Sequence, residues 1–142
     1  MKRILVLLSI LSSLVAVTNA QSVKATTVRN YTLRTLLNSI DTVIFKHDLY
    51  VGVTLYKVSN PSGSAHMEGT DEVSNKYLIA IANGDEDPEI NLYQVGDFYD
   101  PKILKYELSG GRCHIVIEYG IFKKRKRVDL SLTLKNIVMK NI

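Results

Sequence analysis

Five adjacent basic residues are the strongest candidate for chemistry in this chain. Neighbouring cations repel one another, so they must be well solvated or face an anionic partner. As a β-strand the run would divide its side chains between two faces, whereas at a hairpin tip between Tyr119 and Val128 all of them would reach solvent. The tip placement predicts an anion-binding surface formed by Lys123, Lys124, Arg125, Lys126 and Arg127.

The basic run also has a simpler interpretation, as a solvated hairpin whose charges keep an edge strand from pairing with other chains. If the run binds, we expect its partner to be an anionic envelope glycan, a lipid headgroup or an acidic protein. The export signal described below argues against nucleic acid. Any such contact is expected to weaken as salt screens the charges.

The three histidines show no metal-binding or catalytic spacing, and no motif identifies a catalytic residue. Only His66 lies where a site is expected, in a long polar segment, residues 59 to 75, that also contains Ser62, Ser64 and Glu68. This segment is a second candidate contact surface for a binding module, with His66 as a candidate ligand-binding residue. A small enzyme that uses His66 with a nearby carboxylate as acid or base is therefore one alternative to a binding module.

Alternating carboxylates at Asp85, Asp87 and Glu89 offer oxygen ligands of the kind that calcium prefers. Pro88 interrupts them, and the glycine that an EF-hand loop needs after its third ligand is missing. The segment therefore predicts an acidic surface turn. We expect neither a metal ion nor another cofactor in this protein.

The single cysteine, Cys113, is expected to be buried, because an exported chain with one cysteine can form no internal disulfide. His114 follows it directly. In a strand, neighbouring side chains point to opposite faces, so the pair is not expected to act together.

These residues must be positioned mainly by β-strands. Hydrophobic alternation with a period of two begins at residue 49 and is clearest at residues 128 to 134, whose polar face should contact water. A turn at residues 109 to 112 predicts a hairpin between strands 103–108 and 113–119. Six to seven antiparallel strands predict a mainly β fold, with α+β as the alternative, arranged as a sandwich or partly open barrel.

One N-terminal helix is predicted near residues 32 to 45, with Asn30 or Thr32 as its N-cap. Leu33, Leu36 and Leu37 recur at helical spacing, and we expect this leucine stripe to face the core. The β-branched and aromatic residues at 42 to 45 leave open a shorter helix followed by a first strand.

The first twenty residues have the three parts of a secretory signal peptide. Lys2 and Arg3 precede an uncharged apolar run, residues 4 to 17, and small residues end the segment at Ala20. This run is shorter than the roughly 18 residues that a membrane-spanning helix needs. We expect residues 1–20 to be cleaved, and residues 21–142 to form a single β-rich domain in the periplasm or outside the cell.

Removing residues 1 to 20 leaves 122 of the 142 residues, which is enough for a hydrophobic core without disulfides. The formal net charge falls from +4 to +2, so overall charge says little about the partner. The sequence predicts a secreted or periplasmic binding module, not an enzyme, that recognises an anionic partner through the basic run. Besides the small enzyme, a structural subunit that pairs by a strand edge is an alternative.

Overall fold

The computed structural model describes residues 25–27 and 29–142. They form two four-stranded antiparallel sheets and one short helix, which confirms the predicted mainly β sandwich. The two sheets do not close into a barrel within these residues. The predicted signal peptide, residues 1–20, lies outside the described residues.

The first sheet is a meander in which each strand pairs with the next one along the chain. Its strands are β1 (Ile40–His47), β2 (Val51–Ser59), β3 (Ser74–Asn83) and β4 (Ile90–Tyr99). A bulge shifts the register between β3 and β4, and Gly96 occupies it with a φ of 127°. A Cβ at Gly96 would lie 3.0 Å from the Asn75 carbonyl oxygen, so the bulge requires glycine.

The second sheet is also a meander, and Asp100 and Pro101 alone connect it to the first. Its strands are β5 (Lys102–Ser109), β6 (Arg112–Tyr119), β7 (Lys126–Leu132) and β8 (Ile137–Asn141). The hairpin predicted at residues 103 to 119 is therefore confirmed as β5 and β6. The described chain has eight strands rather than the predicted six to seven.

Alternating residues from both sheets fill one shared core. Cys113 is fully buried in it, as predicted, and burial raises the pKa of its thiol to about 12. Because the thiolate is the reactive form, this cysteine acts as a packing residue near neutral pH. The largest fully buried side chains are Leu55, Ile79, Ile81, Ile115, Ile117, Leu130 and Leu132.

The helix, α1 (Tyr31–Asn38), is shorter than the predicted one, and the alternative of a short helix followed by a strand is correct. Asn30 caps it, since its Oδ1 accepts a hydrogen bond from the Leu33 backbone nitrogen at 2.9 Å. The β-branched and aromatic residues that follow favour extended backbone, and they form β1.

The expectation that the leucine stripe of α1 faces the core is wrong. The helix has no buried residue, and both Leu33 and Leu37 are exposed. Thr35 and Leu36 of α1 instead line a groove with Val58 on the outer face of the first sheet. Val58 is buried but lies outside the core cluster, because its cross-strand partner is the outward-facing Lys76.

Candidate functional site

The basic run lies at the tip of the hairpin that joins β6 to β7. Because β6 ends at Tyr119 and β7 begins at Lys126, residues 120 to 125 form the turn, and we call residues 120 to 127 the basic tip. The turn is closed by a hydrogen bond from the Lys124 backbone nitrogen to the Ile121 carbonyl at 2.8 Å. The predicted hairpin placement therefore applies to part of the run, while its last two residues belong to β7.

Gly120 fixes the start of this turn. Its backbone nitrogen donates to the carbonyl oxygen of Tyr99, at the end of β4, at 2.7 Å. Its φ is 104°, and a Cβ on it would lie 3.2 Å from the Lys124 carbonyl oxygen. The tip is thus a defined turn whose backbone is attached to the end of β4 in the first sheet.

Arg125 does not extend into solvent with the other cations of the run. Its side chain is only 15% exposed. The guanidinium donates to Glu118 Oε2 at 2.9 Å, to Asp100 Oδ2 at 2.7 Å and to the Asp100 carbonyl oxygen at 2.7 Å. It also donates to the Gly120 carbonyl at 3.0 Å. Arg125 therefore fastens the tip to β6 and to the link between the sheets.

Arg127 is engaged by the same carboxylate. Its Nε and Nη2 donate to Glu118 Oε1 at 3.1 and 3.0 Å, as a two-pronged contact. The hydrogen bonds from Arg127, and then those from Arg125, lower the pKa of Glu118 against the opposing effect of burial. Two of the five predicted binding cations are thus occupied by the fold itself.

The three remaining cations of the run, Lys123, Lys124 and Lys126, are exposed. Within residues 25–27 and 29–142 none of them forms an ion pair. Ile121 and Phe122 stand beside them at the turn, and the Phe122 side chain is 86% exposed. The sequence contained a signal for these two residues, since they are large apolar residues directly before a basic run. The basic tip therefore combines free ammonium groups with an exposed apolar pair.

His66 lies in the loop between β2 and β3, which belongs to the other sheet. The residue is exposed, its φ is 53°, and its backbone nitrogen donates to the Gly63 carbonyl oxygen at 3.1 Å. Among the described residues no carboxylate forms an ion pair or hydrogen bond with its side chain. The enzyme alternative therefore stays a prediction.

Cys113 and His114 point to opposite faces of β6, as predicted. The His114 ring instead contacts the Asp129 carboxylate on β7. The acidic residues 85 to 89 lie in the exposed turn between β3 and β4. Over the described ranges there is no cluster of three or more histidine, cysteine or carboxylate side chains suited to a metal ion.

None of the helices in the described part of the chain is both long and apolar enough to cross a membrane. The class that the architecture defines is an open, two-sheet antiparallel β-sandwich. Comparison with protein-family models, with curated proteins and with solved structures gives no match to this chain.

Proposed function

We propose that this protein is an exported, non-enzymatic binding module that attaches to an anionic lipid surface through its basic tip. The observation that carries the proposal is the joint exposure of Phe122 and three unpaired lysines on the basic tip. Interfacial membrane contacts use this combination, in which apolar side chains enter the headgroup layer and lysines remain beside the phosphates.

The electrostatic part of the attraction comes from the three lysines. A basic side chain near an anionic membrane surface contributes about 1 kcal/mol. Together Lys123, Lys124 and Lys126 would supply about 3 kcal/mol, or about 100-fold in membrane partitioning. The two arginines add little to this attraction, since their charges are already compensated by Glu118 and Asp100.

Phe122 favours a lipid surface over the other anionic partners. Moving an exposed phenylalanine ring out of water is worth up to about 2 kcal/mol. A glycan or an acidic protein patch would be matched better by hydrogen-bonding side chains beside the cations. The tip instead presents Ile121 and Phe122 there.

The proposal is tested by sedimenting the intact chain with vesicles, either pure phosphatidylcholine or phosphatidylcholine mixed with phosphatidylserine. We expect binding to the mixed vesicles that weakens steeply with salt. The variant Phe122→Ser should bind about tenfold more weakly or worse. Replacing Lys123, Lys124 and Lys126 together by glutamine should reduce binding by about 100-fold.

Matched variants remove the same chemistry elsewhere on the surface. Phe45→Ser removes a phenylalanine that is 59% exposed on the first sheet. Replacing Lys76, Lys135 and Lys140 together by glutamine removes three lysines that, like those of the basic tip, have no ion-pair partner among the described residues. Both controls should bind like the native chain. All these chains contain residues 1 to 24, so any contribution of that segment cancels. Equal losses in tip and control variants, or equal binding to both kinds of vesicle, would refute the proposal.

A second candidate function is assembly through the β4 edge. β4 is ten residues long and carries no charged residue from Ile90 to Gly96, although edge strands are ordinarily protected by charge. The other edge strands β1, β5 and β8 each contain a lysine. Light scattering over a concentration series tests this candidate. A mass that doubles in the native chain, and not in Gln94→Lys, would support strand pairing, whereas a constant monomer mass would exclude it.

A further inference from the structure

The two lateral sides of the sandwich differ in how tightly they are closed. On the side of β1 and β5, the Tyr106 hydroxyl donates to the Val53 carbonyl at 2.8 Å, and the Lys46 ammonium lies 4.8 Å from the centre of the Tyr106 ring. On the side of β4 and β8, a cleft of about 530 Å³ separates the sheets. This volume falls in the range of small-molecule sites, which is roughly 300 to 1,000 Å³.

The cleft between β4 and β8 has mainly apolar walls. Its floor includes the buried side chains of Val95 and Phe98, and the Phe98 ring lies 4.7 Å from that of Tyr119. The other apolar lining residues include Tyr93, Val128, Ile137 and Met139. Water in such a cleft has few hydrogen-bond partners, so its displacement by an apolar chain favours binding of that chain.

One end of the cleft is closed and the other is open. At the closed end the Asn91 side-chain amide donates to the Leu134 carbonyl at 2.8 Å, which joins β4 to the turn before β8. From there β4 and β8 both run along the cleft, and the lining ends at Phe98, Tyr119 and Asn141. The lining residues next to the closed end, Tyr93 and Ile137, are largely apolar, whereas Asn141 supplies a polar side chain at the open end.

A free cation stands at the open end. Lys126 is the cross-strand partner of Tyr119, and strand alternation puts its side chain on the same face as Val128. It is exposed and, among the described residues, has no ion-pair partner. Asp97 also borders the cleft, but its carboxylate accepts a hydrogen bond at 2.7 Å from Asn60, in the loop after β2. That hydrogen bond directs the Asp97 carboxylate toward the loop after β2.

We infer that this cleft binds a single-chain anionic amphiphile, such as a long-chain carboxylate. Its hydrocarbon tail would lie between β4 and β8, and its headgroup would meet the Lys126 ammonium and the Asn141 amide. The cleft shares Lys126 with the proposed membrane contact, but its lining does not include Phe122 or Lys123, so Met139→Glu changes the cleft alone.

The inference is tested by titration calorimetry with dodecanoate, kept below its micelle concentration, and with the cationic probe dodecyltrimethylammonium. Dodecanoate should bind the native intact chain at least tenfold more tightly than the cation does. Met139→Glu should weaken dodecanoate binding at least tenfold, because it puts a carboxylate in the apolar wall. Lys126→Gln should weaken it about fivefold by removing the cation at the open end.

β8 provides the matched control. Met139 is 62% exposed toward the cleft, and its neighbour Val138 is 58% exposed on the opposite face of the same strand. Val138→Glu should therefore leave dodecanoate binding within twofold of the native value, and so should Phe122→Ser at the tip. Absent dodecanoate binding, tight binding of the cation, or equal effects at residues 138 and 139 would overturn the inference. Met139→Glu and Val138→Glu both change exposed side chains, so circular dichroism is expected to show native folding for each of them.

Discussion

The outer faces of the two sheets have opposite chemistry. Across β1 to β4, three cross-strand rows of outward-facing residues contain no aspartate, glutamate, lysine or arginine. These rows are Val43, Tyr56, Leu78 and Gln94; Phe45, Thr54, Ala80 and Leu92; and His47, Gly52, Ala82 and Ile90.

The outer face of the second sheet is dominated by charge, and its charges are mostly paired. Lys105 contacts Glu107 at 3.0 Å, Arg127 contacts Glu118 at 3.0 Å, and His114 contacts Asp129. Opposite charges on neighbouring positions of a sheet stabilise it modestly.

The comparison shows which charged residues have no partner within the described fold. On the second sheet a charged residue is expected to have a partner close by, and Arg125 and Arg127 follow that pattern. The lysines of the basic tip depart from it, although they belong to the same run. Their lack of partners distinguishes them from the arginines and makes them the better candidates for contact with another molecule.

The largest effect on stability is expected at Val58, where α1 lies over the outer face of the first sheet. Val58→Thr places a hydroxyl under α1, where Val58 is 1% exposed, and should cost about 1–3 kcal/mol in the free energy of unfolding. The matched change Val116→Thr, on the partly exposed outer face of β6, should cost less than about 0.5 kcal/mol. Urea unfolding measures both. Equal losses would mean that the helix does not shield Val58.

A smaller loss of stability is expected when the contacts of Arg125 with Glu118 and Asp100 are removed. Arg125→Gln removes the contacts to Glu118 and Asp100, and should lower the urea midpoint. Lys124→Gln, one residue earlier in the turn, should leave the midpoint unchanged because its ammonium has no ion-pair partner in the described chain. Similar midpoints for the two variants would contradict a fastening role for Arg125.

The charge network around Glu118 also predicts that the stability of the fold depends on pH. The pKa of Glu118 is lowered in the folded chain, so its ionised form stabilises the fold above its unfolded pKa of about 4.3. This contribution is lost as pH falls through the folded value. The native chain should therefore have a larger free energy of unfolding than Glu118→Gln at pH 7, and this difference should become smaller below about pH 4. Unfolding curves at several pH values measure it, and a constant difference would exclude this role.

The smallest effect on stability is expected on the exposed part of the first sheet. Leu92→Lys introduces a charge on the uncharged face and should change the free energy of unfolding by less than about 0.5 kcal/mol. It should nevertheless shorten retention on a hydrophobic-interaction column, because it removes an exposed apolar side chain. Val138→Lys, on the already charged second sheet, should shorten retention less.

The contrast between the sheets also explains which elements were predictable. The polar face of residues 128 to 134 alternates strictly with apolar residues, so β7 could be recognised from its period of two. The turn at residues 109 to 112 fixed the β5 and β6 hairpin in the same way. The start of β1 was ambiguous because the leucine spacing of α1 continues to Ile40, whereas the change to extended backbone follows from residues 42 to 45.

The candidate sites depended on contacts that no local pattern contains. The basic run was visible in the sequence, but its division into fastened arginines and free lysines depends on Asp100, which lies 25 residues before Arg125. The cleft is formed by β4 and β8, and β8 is too short and too uniformly apolar at its start to show a period. Such sites are defined by tertiary packing.

The meander topology has a consequence for how the chain reaches this structure. All six described ladders join strands that follow one another in sequence, and the longest connection within a sheet is residues 60 to 73. Closing such short loops costs little chain entropy, so each sheet can grow hairpin by hairpin. The step that brings distant parts of the sequence together is the docking of one sheet on the other. Folding is therefore expected to be limited by that docking, with the hydrophobic faces of both meanders exposed to aggregation until it is complete.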